Sequence, residues 1–176
     1  FFFKQKTAYE IPKRDWSSDV CSSDLGMHAL MENPDQLRLL QEDPSLIPNA
    51  VEEILRWATP VLHFRRTATR DVELRGQRIR AGDKVVTWYI SANRDETIFP
   101  DPYRFDVRRN PNPHVTFGPG GPHFCLGAHL ARLETRVLFQ ELLPRLASIE
   151  PTGPVERMRS NFVHGIKHMP VRIGAR

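Results

Sequence analysis

Cysteine is almost absent from this chain: its 176 residues hold only Cys21 and Cys125. Two isolated cysteines make neither a disulfide framework nor a paired C-x-x-C zinc site. H-E-x-x-H is missing, and so is any Walker-type glycine loop, which sets aside zincin and phosphate-cradling chemistry. No apolar run reaches the length that a membrane span needs. Basic residues outnumber acidic ones by only 25 to 21, and they are scattered without a nucleic-acid-binding module, so no nucleic-acid partner is expected. The length fits one domain.

Residues 1–25 lack a period. They show neither sustained helical spacing nor alternation. They also lack the apolar core and small-residue cleavage site of a signal peptide. Read back into codons, TTC AAG CAG AAG ACG GCA TAC GAG gives Phe3 to Glu10, and GAC TGG AGT TCA GAC GTG TGC TCT TCC GAT gives Asp15 to Asp24. Both runs resemble pieces of sequencing-adapter primers. The competing reading is a genuine disordered arm. The match of two separate runs favours a non-native, disordered segment over 1–25 and a protein domain over 26–176. Cys21 then drops out, leaving Cys125. Lys4, Lys6, Lys13 and Arg14 cancel Glu10, Asp15, Asp19 and Asp24, so residues 26–176 carry the whole +4 charge. One cysteine and no signal peptide point to a reducing cytoplasm.

What the chain does have is a glycine-rich loop around that cysteine. Asn112 to Glu134 reads NPHVTFGPGGPHFCLGAHLARLE. Glycines let the backbone fold tightly and approach a ligand closely. A cysteine just before a helix start has its thiolate favoured by the helix dipole. Such a thiolate beside a flat apolar surface suits an axial haem ligand. The alternatives for a lone cysteine are a small buried hydrophobe or a nucleophile.

Phe117, Gly121, His123, Cys125, Gly127 and Ala131 resemble the haem-binding loop of the cytochrome P-450 family, F-x-x-G-x-[HR]-x-C-x-G-x-x-x-A. One spacing departs from it: Phe117 lies eight residues before Cys125 instead of seven. Whether Phe117 packs against an iron-bound sulfur is therefore open at this point.

Upstream, Met27 to Glu32 reads as the end of a helix, closed by Asn33-Pro34. Pro34 opens a second helix bearing Leu37, Leu39 and Leu40. Pro48 to Ala58 gives a third, with Val51, Ile54, Leu55 and Ala58 at helical spacing. Phe64 to Thr67, Val72 to Leu74 and Gln77 to Ile79 read as short strands, and Lys84 to Asn93 as a strand passing into a short helix. Downstream, Ala128 to Leu143 reads as a long helix with Leu130, Leu133, Val137, Leu138 and Leu142 as its core face and Arg132 and Arg136 outside. Pro144 ends it, with Leu146 and Ala147 in a last loose turn. Met158 to Ile173 reads as a terminal hairpin.

The third helix carries Glu53 and Arg56 on one face. In isolation they read as a surface ion pair. EEILR, however, resembles the E-x-x-R helix of the same family, where the pair is buried and closed by a later arginine. That resemblance selects Arg104, in FPDPYRF. It also implies Arg66 and His123 as haem-propionate partners; the competing reading for Arg66 is a solvated strand arginine, as expected of Arg65 on the other side of the strand. Val61, Leu62, Phe162 and Val163 are candidates for the substrate pocket. FVHGIKHMPV resembles the family's last substrate-facing turn, and a plain hairpin core is the competing reading.

The resemblance implies a mainly α fold with small β-sheets, present as the incomplete C-terminal, haem-ligand-bearing part of a cytochrome P-450. It implies a soluble bacterial haem b monooxygenase with Cys125 as the metal ligand and Phe117 and Gly127 beside it. Such an enzyme inserts one atom of O2 into a C–H bond of a small apolar substrate, fed by a ferredoxin and its reductase. SANRDE, RNPNPH and GIKHMPV resemble actinobacterial hydroxylases of sterol side chains and methyl-branched lipids. No catalytic acid/alcohol pair of the oxygen-activating helix occurs between Gly26 and Glu53, so the chain alone is expected to be inactive. The rivals are a cysteine-nucleophile hydrolase using His123, and a non-catalytic remnant.

Overall fold

The computed structural model describes residues 18–176. Three helices form its centre: α1 (Ser18–Glu32), α3 (Ile47–Ala58) and α5 (Ala128–Leu142) pack on one another, with α2 (Pro34–Glu42) alongside. Leu30, Leu40, Val51, Ile54, Leu55, Phe105, Val107 and Phe139 fill the space between them. Sequence punctuation sets the helix limits. The Asn33 side chain donates to the Ala29 carbonyl at 2.8 Å, and Pro34 starts α2 at the position where a missing N–H costs nothing. Thr59 closes α3 in the left-handed region at φ +40°, its N–H donating to Leu55 O at 3.0 Å.

Among the described residues, the strands form four separate antiparallel pairs. β1 (His63–Thr67) pairs with β4 (Lys84–Trp88), β2 (Val72–Leu74) with β3 (Gln77–Ile79), β5 (Leu146–Pro151) with β8 (Val171–Ala175), and β6 (Glu156–Arg157) with β7 (Ile166–His168). A short helix α4 (Tyr89–Ala92) follows β4 directly. The expected mainly α fold with small sheets is therefore found.

Three expectations need correction. Leu146 and Ala147 are not a loose helical turn. A 3-10 turn over Leu143–Arg145 ends α5, and Leu146 begins β5, buried and paired with Ala175. The terminal segment is not a single hairpin, because β6–β7 is enclosed by the wider β5–β8 pair. Of the Leu-rich face expected to form the core side of α5, Leu142 packs against the core, but the rest is uncovered among the described residues, with Leu130 55%, Leu133 and Val137 46% and Leu138 38% exposed. Its packed face is instead Ala128, Ala131, Thr135 and Phe139. Small residues let α5 approach α1 and α3 closely, and Phe139 fills the wider gap.

Residues 1–17 of the adapter-like segment lie outside the described residues. Its remainder, Ser18–Leu25, continues α1 without a break at Gly26, and Leu25 packs with Ala58 and Ile166. Gly26 marks the close crossing of α1 and α3: a Cβ there would lie 2.6 Å from Ile54 Cγ2.

Between α4 and α5 the chain runs from Asn93 to Gly127 without a regular element. An ordered irregular stretch must find partners for its backbone polar groups. Here α2 and α3 supply them. Gln36 Oε1 accepts from Val107 N at 3.0 Å, Glu53 Oε1 from Asp106 N at 3.0 Å, and Arg56 Nη1 donates to Asn93 O and Pro102 O at 2.8 and 2.9 Å. The cysteine loop at the end of this stretch is therefore held to the helical core.

Candidate functional site

Glu53 and Arg56 are both fully buried. Their two-pronged contact is made by Arg56 Nε to Glu53 Oε2 and Arg56 Nη2 to Glu53 Oε1, each 2.8 Å. Burial of two charges is tolerable only when every polar atom is engaged. Asn112 Nδ2 donates to Glu53 Oε2 at 2.9 Å. The arginine that closes the set is Arg109, whose Nε lies 3.2 Å from Glu53 Oε2. Arg104 does not hold that place. Its side chain is exposed, and only its carbonyl takes part, accepting from Arg56 Nη2 at 3.3 Å and Arg109 Nη2 at 3.1 Å. Arg109 also binds the carbonyls of Pro100 and Asp101, at 2.8 and 3.1 Å. The set thus locks the backbone of residues 100–106 into one path.

Asn93, fully buried, is a second lock that sequence reading missed. Its Nδ2 donates to Thr59 Oγ1 at 2.9 Å and Thr116 Oγ1 at 3.0 Å, and its Oδ1 accepts from Val115 N at 2.8 Å. Thr116 Oγ1 in turn donates to Leu55 O at 2.9 Å. The residues just before Phe117 are tied in this way to the end of α3. The one sequence signal was an amide embedded in an otherwise apolar strand-to-helix run.

A third lock joins α3 to α5. Glu52 accepts from Arg132 Nε at 2.7 Å, Arg132 Nη2 at 2.9 Å and His114 Nε2 at 2.9 Å. Burial pushes the Glu52 carboxyl up, but the His114 and Arg132 hydrogen bonds and charges outweigh it and hold it at about 2. The Arg132 guanidinium lies 4.7 Å from the Phe117 ring centroid. Arg132, expected outside, is therefore half-buried and neutralised, whereas Arg136 is exposed.

Together these locks aim the cysteine loop. Gly118, Gly120 and Gly121 take φ of +93°, +107° and +80°, a conformation open to glycine. The extra residue before Cys125 is absorbed in this coil, and Cys125 N–H donates to Phe117 O at 3.0 Å. Cys125 lines a cavity of about 320 Å³ with Ser22, Pro60, Val61, Phe64, Arg66, Tyr89, Thr116, Phe117 and His123. Cys125, Arg66, His123 and Phe117, widely separated in sequence, thus meet at one site. Gly127 is the residue that precedes α5, and a Cβ there would lie 3.9 Å from Cys125 Sγ. A larger hollow of about 600 Å³ over Glu96, Asp101, Pro102, Tyr103 and Arg104 is open to solvent and shares no lining residue with this cavity.

Of the pocket candidates, Val61 lines the cavity; Leu62, Phe162 and Val163 stand beside it. Val61 bridges Val163, Leu62 N donates to Phe162 O at 2.9 Å, and Phe162 packs edge-on to Phe64 at 5.5 Å. His164 closes this turn: its ring contacts Ala58 O through Nδ1 at 2.9 Å and Arg157 Nη1 through Nε2 at 2.8 Å. Burial lowers the His164 pKa, consistent with a neutral ring that donates at Nδ1 and accepts at Nε2.

The donor set fits a haem. A thiol faces the cavity, apolar side chains wall it, Arg66 and His123 offer donors to carboxylates, and no carboxylate among the described residues lines it. No histidine hydrogen bonds the Cys125 sulfur among the described residues, so the nucleophile reading gains nothing from the geometry.

The arrangement is that of a haem-thiolate protein. The Cytochrome P-450 family model matches residues 30–169. A methyl-branched lipid omega-hydroxylase of Mycobacterium tuberculosis is 54% identical over 83% of this chain and 34% of its own length. A Mycobacterium marinum cytochrome P-450 solved in complex with pseudoionone is 53% identical, with a TM-score of 0.81 over 86% of this chain and 36% of that one. A Bacillus megaterium cytochrome P-450 solved with testosterone is 36% identical, with a TM-score of 0.84 over 88% of this chain and 42% of that one. The chain belongs to the cytochrome P-450 family. It spans about a third of the length of the curated relatives it matches.

Proposed function

We propose that the full-length protein is a haem b monooxygenase that hydroxylates an apolar lipid, either a methyl-branched chain or a sterol side chain. The observation that carries this reading is the convergence of Cys125, Arg66 and His123 on one apolar-walled cavity. Cys125 is the iron ligand. Arg66 and His123 pair with the haem carboxylates, and Phe117 and Gly127 flank the sulfur. When bound, the haem supplies activation of O2, and with two electrons and two protons one oxygen atom enters a C–H bond while the other leaves as water.

The chain's own residues bind and orient. The buried Glu53–Arg56–Arg109 set and the Asn93 amide fix the backbone that presents the thiolate. Val61 and Phe64 wall the cavity, with Phe162 behind Phe64. Leu62 and Val163 hold the turn that carries them. A wall of this kind selects apolar groups by burial, at about 25 cal/mol per Å². Methyl-branched chains and sterols are suggested by the M. tuberculosis hydroxylase and the testosterone-bound relative.

Electrons come from a ferredoxin and its reductase, and the protein works in the cytoplasm. No helix among the described residues is long and apolar enough to cross a membrane. Residues 1–25 are adapter-derived, a reading supported by the two codon runs. The chain is the C-terminal part of the enzyme and is inactive alone.

The test is turnover under labelled oxygen. Full-length protein containing residues 26–176 is supplied with ferredoxin, reductase, NAD(P)H and either a methyl-branched fatty acid or a sterol. One labelled oxygen atom in the hydroxylated product supports the reading. Absence of NAD(P)H-coupled product from both substrate classes removes it.

A further inference from the structure

Tyr89 is buried to all but 7% of its surface and reaches the cavity that holds Cys125, Arg66 and His123. Its ring is fixed. It packs on Phe64 with centroids 5.7 Å apart, and its backbone N–H donates to Leu62 O at 2.9 Å at the start of α4. Its hydroxyl lies beside the cysteine loop, 3.8 Å from where a Cβ on Gly118 would stand. Among the described residues that hydroxyl makes no hydrogen bond to another side chain or backbone group, and it opens onto the cavity instead of being sealed among protein atoms. A buried tyrosine normally engages its O–H, so an unpaired one facing a cavity points to an acceptor brought by the ligand.

The chemistry of the other polar liners names the acceptor. Arg66 can only donate, and His123 donates when protonated or in the right tautomer. The Thr116 hydroxyl is already engaged with Leu55 O and Asn93. Among the described residues, no Asp or Glu lines the cavity. The site therefore presents donors without a protein anion to receive them. We propose that the Tyr89 hydroxyl donates to a carboxylate of the bound haem, making it a third cofactor-anchoring residue beside Arg66 and His123. This rests on the haem reading above.

Tyr89→Phe removes one oxygen atom and keeps the ring that packs on Phe64. In full-length, haem-loaded protein three readouts separate the possibilities. The first is the Soret band of the ferrous–CO adduct, which reports thiolate ligation. The second is the rate at which haem passes to excess apomyoglobin. The third is the propionate bending band in the resonance Raman spectrum, which moves when a hydrogen bond to the carboxylate is lost. Tyr89→Phe is expected to keep the thiolate band, lose haem about 10-fold faster and shift the propionate band, since a hydrogen bond to a charged group is among the stronger kinds. An unchanged propionate band overturns the proposal whatever the haem loss, because the ring's packing alone would then explain it. A wild-type protein without the thiolate band would instead overturn the haem reading, and this inference with it.

Discussion

Glu52 and Arg132 hold each other across the α3–α5 interface by two parallel hydrogen bonds of 2.7 and 2.9 Å. The guanidinium then lies against the Phe117 ring, and His114 occupies the remaining side of the carboxylate. One ion pair thus joins two helices and the backing of the cysteine loop.

A pH dependence follows from it. The Glu52 carboxyl sits at about 2 in the folded state against an ordinary 4.5. Between those values the unfolded chain binds more protons, so stability from this group is present above about pH 4.5 and is lost as pH falls toward 2. Allowing for partial exposure, the contribution is about 1–2 kcal/mol. Urea unfolding of Glu52→Gln near pH 6 should show that loss already in place, and its stability should vary less than wild type down to pH 3. Parallel pH profiles for the two proteins would contradict it.

Arg109 and Arg104 give a sharper contrast. Arg109 touches the buried Glu53 carboxylate, while the Arg104 side chain is exposed. Arg109→Ala leaves that carboxylate under-compensated and should destabilise by about 3–5 kcal/mol, with loss of haem. Arg104→Ala should leave the unfolding midpoint nearly unchanged. Equal effects of the two, measured by urea denaturation, would argue against the geometry.

Electron delivery is expected to depend on Arg136. Arg132 is already paired, so Arg136 is the exposed basic group of that helix one turn further on. Reversing it, Arg136→Glu, should slow association with an acidic ferredoxin and flatten its salt dependence. Stopped-flow rates at low and high ionic strength check this. A rate in wild type indifferent to salt would refute the steering.

The uncovered face of α5 predicts the behaviour of the piece alone. Leu130, Leu133, Val137 and Leu138 stand exposed along one side. Residues 26–176 expressed by themselves should aggregate and show no hydroxylation above a free-haemin control. Sedimentation and a product assay report both. A monodisperse, active fragment would show that this face needs no cover.

Much of this was readable in the chain. The glycine loop and the E-x-x-R pair are short local patterns, the family resemblance added Arg66 and His123, and the structure brings Cys125, Arg66 and His123 to one cavity. What was hidden is non-local. Arginines stand at 104, 108 and 109, and only the turn placing Asp106 N–H on Glu53 decides which one returns to the carboxylate. The α5 stripe misled because leucines signal burial by size, whereas a close helix crossing needs Ala128, Ala131 and Thr135. β5 was invisible after Pro144 because its partner, β8, arrives some twenty residues later. Tyr89 and Asn93 sit in an apolar run that reads as mere packing until the cavity and the loop are seen around it.

Cys125 as the iron's thiolate ligand is the claim on which the rest depends. The ferrous–CO adduct of the full-length protein, compared with Cys125→Ala, tests it most directly. Thiolate ligation predicts the red-shifted Soret band in wild type and its complete loss in the variant. A variant that keeps that band, or a wild type that never shows it, would remove Cys125 from the role.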